Sequence, residues 1–375
     1  MSIGFVAPEL YPDKIGGAEI FNYYYLKKVK MFTNIVLFTH SDFQDNKIKV
    51  VKIKKRISFL DMITYYYSIY KIRNKLVLLH LSFMEGPRWI YWQIFPIIKY
   101  LLKIPYIITI HGHKTHKYKH EKFYKLFFTN AYQVIGVSDN VLDKYKEQYN
   151  ISKTRVIPSD IPLLKNHKYE NIIKNMIEYR PSLKIFSIVG TIKLLKNPFC
   201  ILKAIKELGN NYCERHNLLF VFAGDGPLKE RCIDFVDSNN LNKFVKFLGI
   251  VSRYKMPSLY HLSFGYIIAS KIESNSISTL EAIYNDLIVL AADVEALNKI
   301  YDDNEILFFR YDDHKNLAGK IRQICENELE AKDMIQRTKN RYSNRFVYDK
   351  NVIQPYLEIY NHNIKKQGKI AKCVV

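Results

Sequence analysis

The chain of 375 residues has few cysteines, few acidic residues and no long uninterrupted apolar segment. Its five cysteines form no CxxC pair, which argues against a zinc site or a disulfide framework and favours a cytoplasmic protein with reduced thiols. The longest apolar stretch, residues 89–110, is interrupted by Gln93, two lysines and two prolines, so we expect no transmembrane helix. The N-terminus also lacks the basic-then-apolar order of a signal peptide.

The shortage of acidic residues leaves the chain strongly basic. The 57 Lys and Arg residues exceed the 36 Asp and Glu residues by 21, and two-thirds of that excess lies in residues 1–165. A basic surface indicates an anionic partner, such as a phospholipid head group, a diphosphate or a nucleic acid. Because no zinc-finger, RRM or KH signature occurs and the basic residues are dispersed, we expect no nucleic-acid partner.

Aromatic and basic residues are interleaved in the same half, for example in residues 65–71, 88–92 and 117–128. Aromatic rings at the level of lipid head groups, together with cations, would suit peripheral contact with an anionic membrane. A general enrichment in Lys, Tyr, Ile and Asn explains the same pattern without a membrane. Membrane contact is therefore a hypothesis at this point.

Short apolar runs alternate with helical segments along the whole chain, which predicts an α/β protein with parallel sheets. The predicted strands cover residues 3–8, 35–38, 50–53, 77–81, 106–110, 133–137, 184–190, 219–223, 244–249, 266–269 and 287–291. Residues 157–162 contain two prolines and lead into a polar passage, and the length suits two domains. We therefore predict a first domain over residues 1–165, a second over 166–345 and a C-terminal helical segment over 346–375.

Two carboxylates follow the strand predicted at residues 266–269. Glu273 lies on the loop, and Glu281 lies on the first turns of the predicted helix, with seven residues between them. Ligands bind at the carboxyl edge of open α/β sheets, and one ionised carboxylate can accept hydrogen bonds from two hydroxyls. An alternative is purely structural, because Ser278 and Glu281 have the spacing of a capping box and Glu273 could be an ordinary loop acid.

Polar and glycine-rich segments follow several other predicted strands. Gly16 and Gly17 open a helix, where backbone amides can approach an anion, although a simple strand–turn–helix connection is an alternative. His111 ends a strand and begins a histidine-rich tract that includes His113, His116 and His120. A metal site ranks low there, because the tract has no HExxH spacing and intervening lysines would repel a cation.

The second half repeats this arrangement. Gly190 ends a strand, Lys196 follows on the loop, and Asn197 with Pro198 is typical of an N-cap and first position of a helix. Residues 224–227, with the sequence GDGP, follow the next strand, and turn chemistry alone is an alternative explanation for their glycines.

The order of these segments resembles that of the retaining GT-B glycosyltransferases, in particular family 4, over roughly residues 3–360. The segments are GGAE at residues 16–19, His111, Gly190 with Lys196 and Asn197, GDGP, the FLG strand end at 247–249, and the pair Glu273 and Glu281. The resemblance implies two doubly wound, Rossmann-like domains facing a cleft, with the C-terminal helix packing back on the first. It implies transfer of a hexose-type sugar from a nucleotide-diphosphate sugar to a glycan or lipid-linked acceptor, with retention and without a metal ion or other cofactor. The expected setting is cell-envelope polysaccharide biosynthesis in the cytoplasm, at the inner face of the membrane.

The resemblance also implies roles for individual residues. Glu273 would position the donor sugar and stabilise charge at the reacting carbon, and Glu281 would hold the ribose. Lys196 would bind the diphosphate, and His111 would bond a sugar hydroxyl or support the developing charge. The remaining donor-binding positions would be Gly190, Thr191, Gly224, Gly226, Ser276 and Ile277, and the phosphate or acceptor loop would contain Gly16 and Gly17.

The chain departs from the family pattern at several positions. Thr191 stands where the family usually has an arginine that shares the diphosphate with the lysine, and Lys193 is a possible substitute. Asp160 and Asp286 also stand where glycine is usual. These departures motivate an alternative, a degenerate GT-B protein that binds a glycan, lipid or partner without turnover; a basic nucleic-acid-binding protein ranks last.

Overall fold

The computed structural model describes residues 1–54, 58–83, 102–112, 121–273, 276–343 and 347–372. The chain forms two compact units, Met1–Pro162 together with Val347–Val375, and Leu163–Phe346. Within the described ranges, no helix combines the length and the hydropathy that crossing a bilayer requires.

The first unit is built on a seven-stranded parallel sheet with the order β3-β2-β1-β4-β5-β6-β7. Its strands are β1 Ser2–Val6, β2 Ile35–Thr39, β3 Ile48–Lys52, β4 Leu76–Phe83, β5 Tyr106–Ile110, β6 Gln133–Gly136 and β7 Thr154–Val156. β2 and β5 are buried along their whole length, as expected for parallel strands covered on both faces. The strand order reverses between β1 and β4, where Phe5 lies opposite Leu37 on one side and His80 on the other.

Among the described residues, four helices of the first unit with defined bounds precede its last strand. They are α1 Gly17–Val29, α2 Ser58–Lys71, α3 Glu121–Thr129 and α4 Asp139–Tyr149. The Ser138 hydroxyl caps α4 by accepting a hydrogen bond from the Val141 N–H at 3.4 Å, which is the structural role expected of a serine just before a helix.

The second unit repeats the same topology in a six-stranded parallel sheet with the order β10-β9-β8-β11-β12-β13. Its strands are β8 Lys184–Val189, β9 Leu218–Ala223, β10 Val245–Gly249, β11 Gly265–Ile268, β12 Ile288–Asp293 and β13 Leu307–Arg310. Its helices are α5 Glu170–Ile177, α6 Pro198–Leu208, α7 Asn210–Arg215, α8 Lys229–Ser238, α9 Met256–Leu262, α10 Ile277–Tyr284, α11 Glu295–Asn298, α12 His314–Glu326 and α13 Glu328–Tyr342. Here the order reverses between β8 and β11.

Alternate side chains of each strand enter the two cores that flank the second sheet. Phe220 and Phe222 of β9 pack in one core, and Leu219 and Val221 pack in the other. This two-residue period is the geometry of a pleated strand buried on both faces. Two doubly wound, Rossmann-like sheets were predicted from the sequence, and the structure confirms them.

The last helix that the structure describes belongs to the first unit. A π-helical turn, Asp349–Ile353, leads into α14 Gln354–Lys372. Its Tyr360 hydroxyl lies 2.7 Å from the Tyr25 hydroxyl and 2.5 Å from His80 Nδ1. The other ring nitrogen of His80 meets the Thr109 hydroxyl at 2.8 Å, and Thr109 in turn meets the Tyr356 hydroxyl at 2.9 Å. All five groups are buried, so each depends on the others for its hydrogen bonds.

We expect Tyr360→Phe to destabilise the protein by about 1–3 kcal/mol, because it leaves His80 Nδ1 and the Tyr25 hydroxyl buried without their shared partner. Urea unfolding, followed by circular dichroism, measures the change. Tyr67→Phe is the matched control, because that tyrosine is 65% exposed. Equal midpoints for the two variants would contradict a role for the buried chain in holding α14.

The cysteines described by the structure are buried and free. They are Cys200, Cys213, Cys232 and Cys325. Burial raises the pKa of the Cys200 thiol to about 12, so its reactive thiolate is scarce at neutral pH.

Candidate active site

Glu273 and Lys196 meet at the point where the strand order of the second sheet reverses. The loop after β11 leads to Glu273, and Lys196 ends a short 3₁₀ turn, Leu194–Lys196, that follows β8. Lys196 Nζ donates to Glu273 Oε1 at 2.5 Å, and the Lys271 N–H donates to the Leu195 carbonyl at 2.8 Å. Because β8 and β11 are neighbours, the loops that follow them are adjacent, and both carry residues predicted from the sequence.

Lys196 and Glu273 can each bind a further group in addition to one another. An ammonium group carries three N–H donors and a carboxylate has several acceptor positions. The Glu273 side chain is 10% exposed and that of Lys196 is 31% exposed, so the pair is shielded but reachable. Such a pair can hold an anionic oxygen on the lysine side and a hydroxyl on the carboxylate side.

A pocket lies beside this pair at the same edge of the sheet. Among the residues that line it are Gly190, Thr191, Lys196 and Ser270. Ser270 was not predicted as a site residue. Its side chain is almost fully buried, and among the described residues its hydroxyl oxygen has no hydrogen-bond partner. A buried hydroxyl without a partner is costly, so Ser270 is suited to bonding a ligand or water in this pocket.

Glu281 is held in place by two side chains that the sequence analysis did not single out. Arg253 Nη1 lies 2.7 Å from Glu281 Oε1, and the Tyr260 hydroxyl donates to Oε2 at 3.2 Å. Arg253 lies in the turn after β10, Tyr260 lies on α9, and Glu281 lies on α10. All three are buried, and burial beside the carboxylate raises the pKa of Tyr260 well above its usual value. The carboxylate is therefore oriented before any ligand binds.

The capping-box alternative for Glu281 is wrong. α10 begins at Ile277, and its N-cap is Ser276, whose hydroxyl accepts a hydrogen bond from the Thr279 N–H at 3.4 Å. The Ser278 hydroxyl instead lies 2.7 Å from the Tyr266 hydroxyl. Ser276 and Ile277 were predicted as donor-binding positions; their place at the start of α10 puts them at the carboxyl edge of the sheet, with Glu281 on the next turn.

Comparison with known proteins identifies the family. Residues 171–341 match the family model described as glycosyl transferases group 1. Residues 171–341 therefore belong to the group 1 glycosyltransferase family. This match confirms the predicted resemblance to group 1 glycosyltransferases, whereas retention and family 4 are still predictions.

Relatives of this glycosyltransferase cover most of its length. An uncharacterized glycosyltransferase, MJ1178 from Methanocaldococcus jannaschii, is 24% identical over 361 residues, which are 92% of this chain and 95% of that protein. An α-1,4-N-acetyl-D-galactosaminyltransferase from Campylobacter jejuni, named for a diphospho-undecaprenol-linked acceptor, is 28% identical over 246 residues, 64% of each protein. The structure of Anabaena Alr3699/HepE in complex with UDP-glucose superposes with a TM-score of 0.77 at 13% identity, covering 96% of this chain and all of that one. That superposition shows a shared GT-B fold.

The glycines of the GDGP segment shape the loop that leads to Lys196. A Cβ atom on Gly226 would lie 2.4 Å from the Ile192 carbonyl oxygen, and one on Gly224 would lie 2.0 Å from that of Gly190. The Ile192 N–H donates to the Asp225 carbonyl at 3.0 Å, which joins the two loops directly. These glycines therefore allow two backbones to touch, and that contact fixes the loop beside the pocket.

We expect Gly226→Ala to destabilise the glycosyltransferase by about 1–3 kcal/mol, because a methyl group at that position displaces the backbone of the neighbouring loop. Gly319→Ala is the matched control. Gly319 lies in the interior of α12 with no atom near its Cβ position, so alanine there is expected to stabilise by about 0.5–1 kcal/mol. Urea unfolding of both variants gives the comparison, and opposite signs are the expected result.

The Asn197 side chain does not have the capping role predicted for it. The helix does begin at Pro198, but Asn197 adopts φ 46° and its side chain does not cap α6. Its amide donates instead to Asp312 Oδ1 at 2.9 Å, across from the start of α12. Thr191, which stands in the position of the usual arginine, is exposed and contributes to the lining of the pocket.

Gly16 and Gly17 lie at the start of α1 in the first unit. Gly17 is the first residue of the helix, and the Glu19 carboxylate folds back toward Gly16, where a Cβ atom would lie 2.3 Å from Oε2. Glu19 is buried and its other oxygen pairs with Lys14 at 2.9 Å. A Cβ atom at residue 16 would therefore require the end of the Glu19 side chain to move, whereas the backbone there is extended.

His111 lies directly after β5 and is buried. Its Nε2 atom lies 3.0 Å from the Ser82 hydroxyl oxygen, and its ring packs 5.0 Å from that of Phe21. Burial lowers the pKa of His111 to about 3, so the ring is neutral at physiological pH. His113, His116, His120, Ser274, Asn275 and residues 88–92 lie outside the described residues. Within the described ranges, no group of three or more His, Cys, Asp or Glu side chains could hold a metal ion.

Proposed function

We propose that this glycosyltransferase moves a hexose-type sugar from a nucleotide-diphosphate sugar to a glycan or lipid-linked acceptor, with retention at the anomeric carbon. We further propose that it works without a metal ion and serves cell-envelope polysaccharide biosynthesis. The observation that supports the proposal most strongly is the Lys196–Glu273 pair beside the pocket at the reversal of the second sheet. In open α/β sheets this is the place where nucleotides bind.

The reaction breaks the bond between the anomeric carbon and a phosphate oxygen of the donor. Negative charge grows on that oxygen, and positive charge grows on the sugar. In the proposal Lys196 stabilises the oxygen, with Ser270 and Thr191 as further donors, while the Glu273 carboxylate faces the sugar. The acceptor oxygen forms the new bond to the anomeric carbon, and its proton passes to the departing phosphate. No side chain is assigned as general base.

Glu281 would bind the ribose of the donor. Arg253 contacts one oxygen of the Glu281 carboxylate, and Tyr260 contacts the other. A carboxylate has about four lone-pair positions. Acceptor positions therefore remain for two neighbouring hydroxyls. Because Glu281 is already oriented, it would bind them without the entropic cost of ordering a free side chain.

The first unit would contact an anionic membrane through α2. Ile63, Tyr67 and Tyr70 are spaced four and three residues apart on this helix and are 46%, 65% and 48% exposed. The Arg73 guanidinium lies 4.0 Å from the centre of the Tyr70 ring. Exposed aromatic and apolar side chains beside cations suit a lipid–water interface. Co-sedimentation with vesicles containing anionic lipid tests this, and a Tyr67→Ser, Tyr70→Ser variant should bind them less well than wild type.

A thermal-shift panel of UDP, GDP, ADP and their sugar conjugates tests the proposed function. A nucleotide that binds the folded state raises the midpoint temperature of unfolding. At a hundredfold excess over Kd it adds about 2.7 kcal/mol to the free energy of unfolding. The expected result is one nucleotide class that shifts wild type and shifts Glu281→Ala much less. No shift with any nucleotide would favour the degenerate alternative, which the exposed Thr191 in the arginine position motivates.

A further inference from the structure

A buried polar chain connects α1 to His111 in the first unit. The Ser82 hydroxyl, at the end of β4, donates to Asn22 Oδ1 at 2.6 Å and also lies 3.0 Å from His111 Nε2. Asn22 lies on α1, the helix that Gly17 opens. All three side chains are at least nine-tenths buried. These hydrogen bonds therefore join three elements that meet at the carboxyl edge of the first sheet.

The hydrogens in these two hydrogen bonds, from Ser82 to Asn22 and between Ser82 and His111, can be assigned by counting donors. A serine hydroxyl has one hydrogen, and here Asn22 receives it. The Ser82 oxygen can then only accept from His111, so His111 carries its hydrogen on Nε2. Burial keeps the imidazole neutral, which leaves Nδ1 without a hydrogen.

His111 Nδ1 has no hydrogen-bond partner among the residues that the structure describes. It is buried and is an acceptor, so a group that meets it must bring its own hydrogen. A sugar hydroxyl satisfies this condition, whereas an ionised phosphate oxygen does not. A cationic role is disfavoured by the same burial that lowers the pKa of His111. The side chains near His111 include Phe21, Ser82 and the buried, neutral His80.

We propose that Asn22 and Ser82 are positioning residues that fix His111 as the Nε2–H tautomer, so that Nδ1 accepts a hydrogen bond from a ligand hydroxyl. The hydrogen bond from a ligand hydroxyl to Nδ1 rests on the proposed function, because a nucleotide sugar supplies the hydroxyl. The Nε2–H tautomer does not, because it depends only on the folded first unit.

Nitrogen NMR of protein labelled with ¹⁵N-histidine tests the tautomer directly. Long-range ¹H–¹⁵N spectra distinguish Nε2–H from Nδ1–H, and His111→Asn identifies the signals of His111. The expected result at pH 7 is the Nε2–H form in wild type. Ser82→Ala and Asn22→Leu should lose this preference, since the first removes the acceptor for Nε2–H and the second frees the serine hydrogen to turn toward the ring. An Nδ1–H form or an even mixture in wild type would overturn the proposal.

Ser187→Ala is the matched control. Ser187 is a buried strand serine of the second unit whose hydroxyl donates to the Gly265 carbonyl at 3.3 Å. It should leave the His111 signals unchanged. A change in Ser187→Ala as large as in Ser82→Ala would mean that the signals report general loosening, and the positioning role would be rejected.

The hydrogen bond from the ligand to His111 Nδ1 is tested with the nucleotide sugar that gives the largest thermal shift, beginning with UDP-glucose. Adding it should move the Nδ1 signal, whereas adding the free nucleotide should not. Ser82→Ala and Asn22→Leu should lower kcat/KM for that donor about tenfold, the effect of roughly one lost hydrogen bond. Movement with the free nucleotide alone would overturn the hydroxyl assignment. If no donor binds or reacts, the proposed function fails, but the spectra without ligand still decide the tautomer.

Discussion

Glu273→Gln is expected to lower kcat by about a hundredfold to a thousandfold, with the fold intact. The substitution keeps the size of the side chain and an oxygen that can accept from Lys196, but it removes the negative charge. In the proposed mechanism that charge faces a sugar on which positive charge grows, and loss of one such interaction costs about 2.7–4 kcal/mol in other enzymes. The Lys196 side chain is 31% exposed and can still donate to the glutamine amide oxygen, so the free energy of unfolding should change by about 1 kcal/mol or less.

Product formation from the donor found in the thermal-shift panel measures this effect. Glu295→Gln is the control, because Glu295 forms a 2.8 Å ion pair with Lys299 in the same unit but has a 65% exposed side chain outside the candidate site. The control should keep wild-type kcat. If Glu273→Gln also keeps it, while binding the donor normally, Glu273 has no part in the chemical step.

Central strands were predictable because burial on both faces requires continuous apolar runs. β5 was predicted with its exact bounds, and β2 within one residue. Two strands were missed, β7 and β13, which lie at the outer edges of the two sheets. β7 has three residues, Thr154, Arg155 and Val156, none of them fully buried. An edge strand pairs on one side only, so its sequence need not be apolar.

The partners within the candidate site depend on the tertiary fold. Glu273 and Glu281 could be selected from the sequence because strand, loop and helix are consecutive there. Arg253 could not, because 27 residues lie between it and Glu281 and the packing of α9 and α10 against the sheet brings them together. The capping-box alternative was wrong because Ser276, and not Ser278, is the N-cap of α10. The Glu281 side chain pairs with Arg253 instead. The catalytic and binding roles of these residues are still predictions.

Arg253→Met is expected to destabilise the second unit by about 3–5 kcal/mol. Methionine retains much of the volume of the side chain but removes the guanidinium that faces Glu281 Oε1 at 2.7 Å. Among the described residues, the buried carboxylate then keeps the Tyr260 hydroxyl, on its other oxygen, as its one side-chain partner. Removing one partner of a buried ion pair costs this much because the remaining charge has lost both its water and its counter-ion.

A double-mutant cycle separates this cause from simple loss of packing. Replacing both charges, in Arg253→Met with Glu281→Gln, leaves no buried charge, so it should recover most of the stability lost in Arg253→Met alone. Arg155→Met is the control, because Arg155 pairs with Glu358 at the surface of the first unit and should cost less than about 1 kcal/mol. Urea unfolding supplies all four values. An additive cycle would mean that Arg253 acts through packing alone. Recovery in the double variant would show that the stability lost in Arg253→Met comes from the unpaired, buried charge of Glu281.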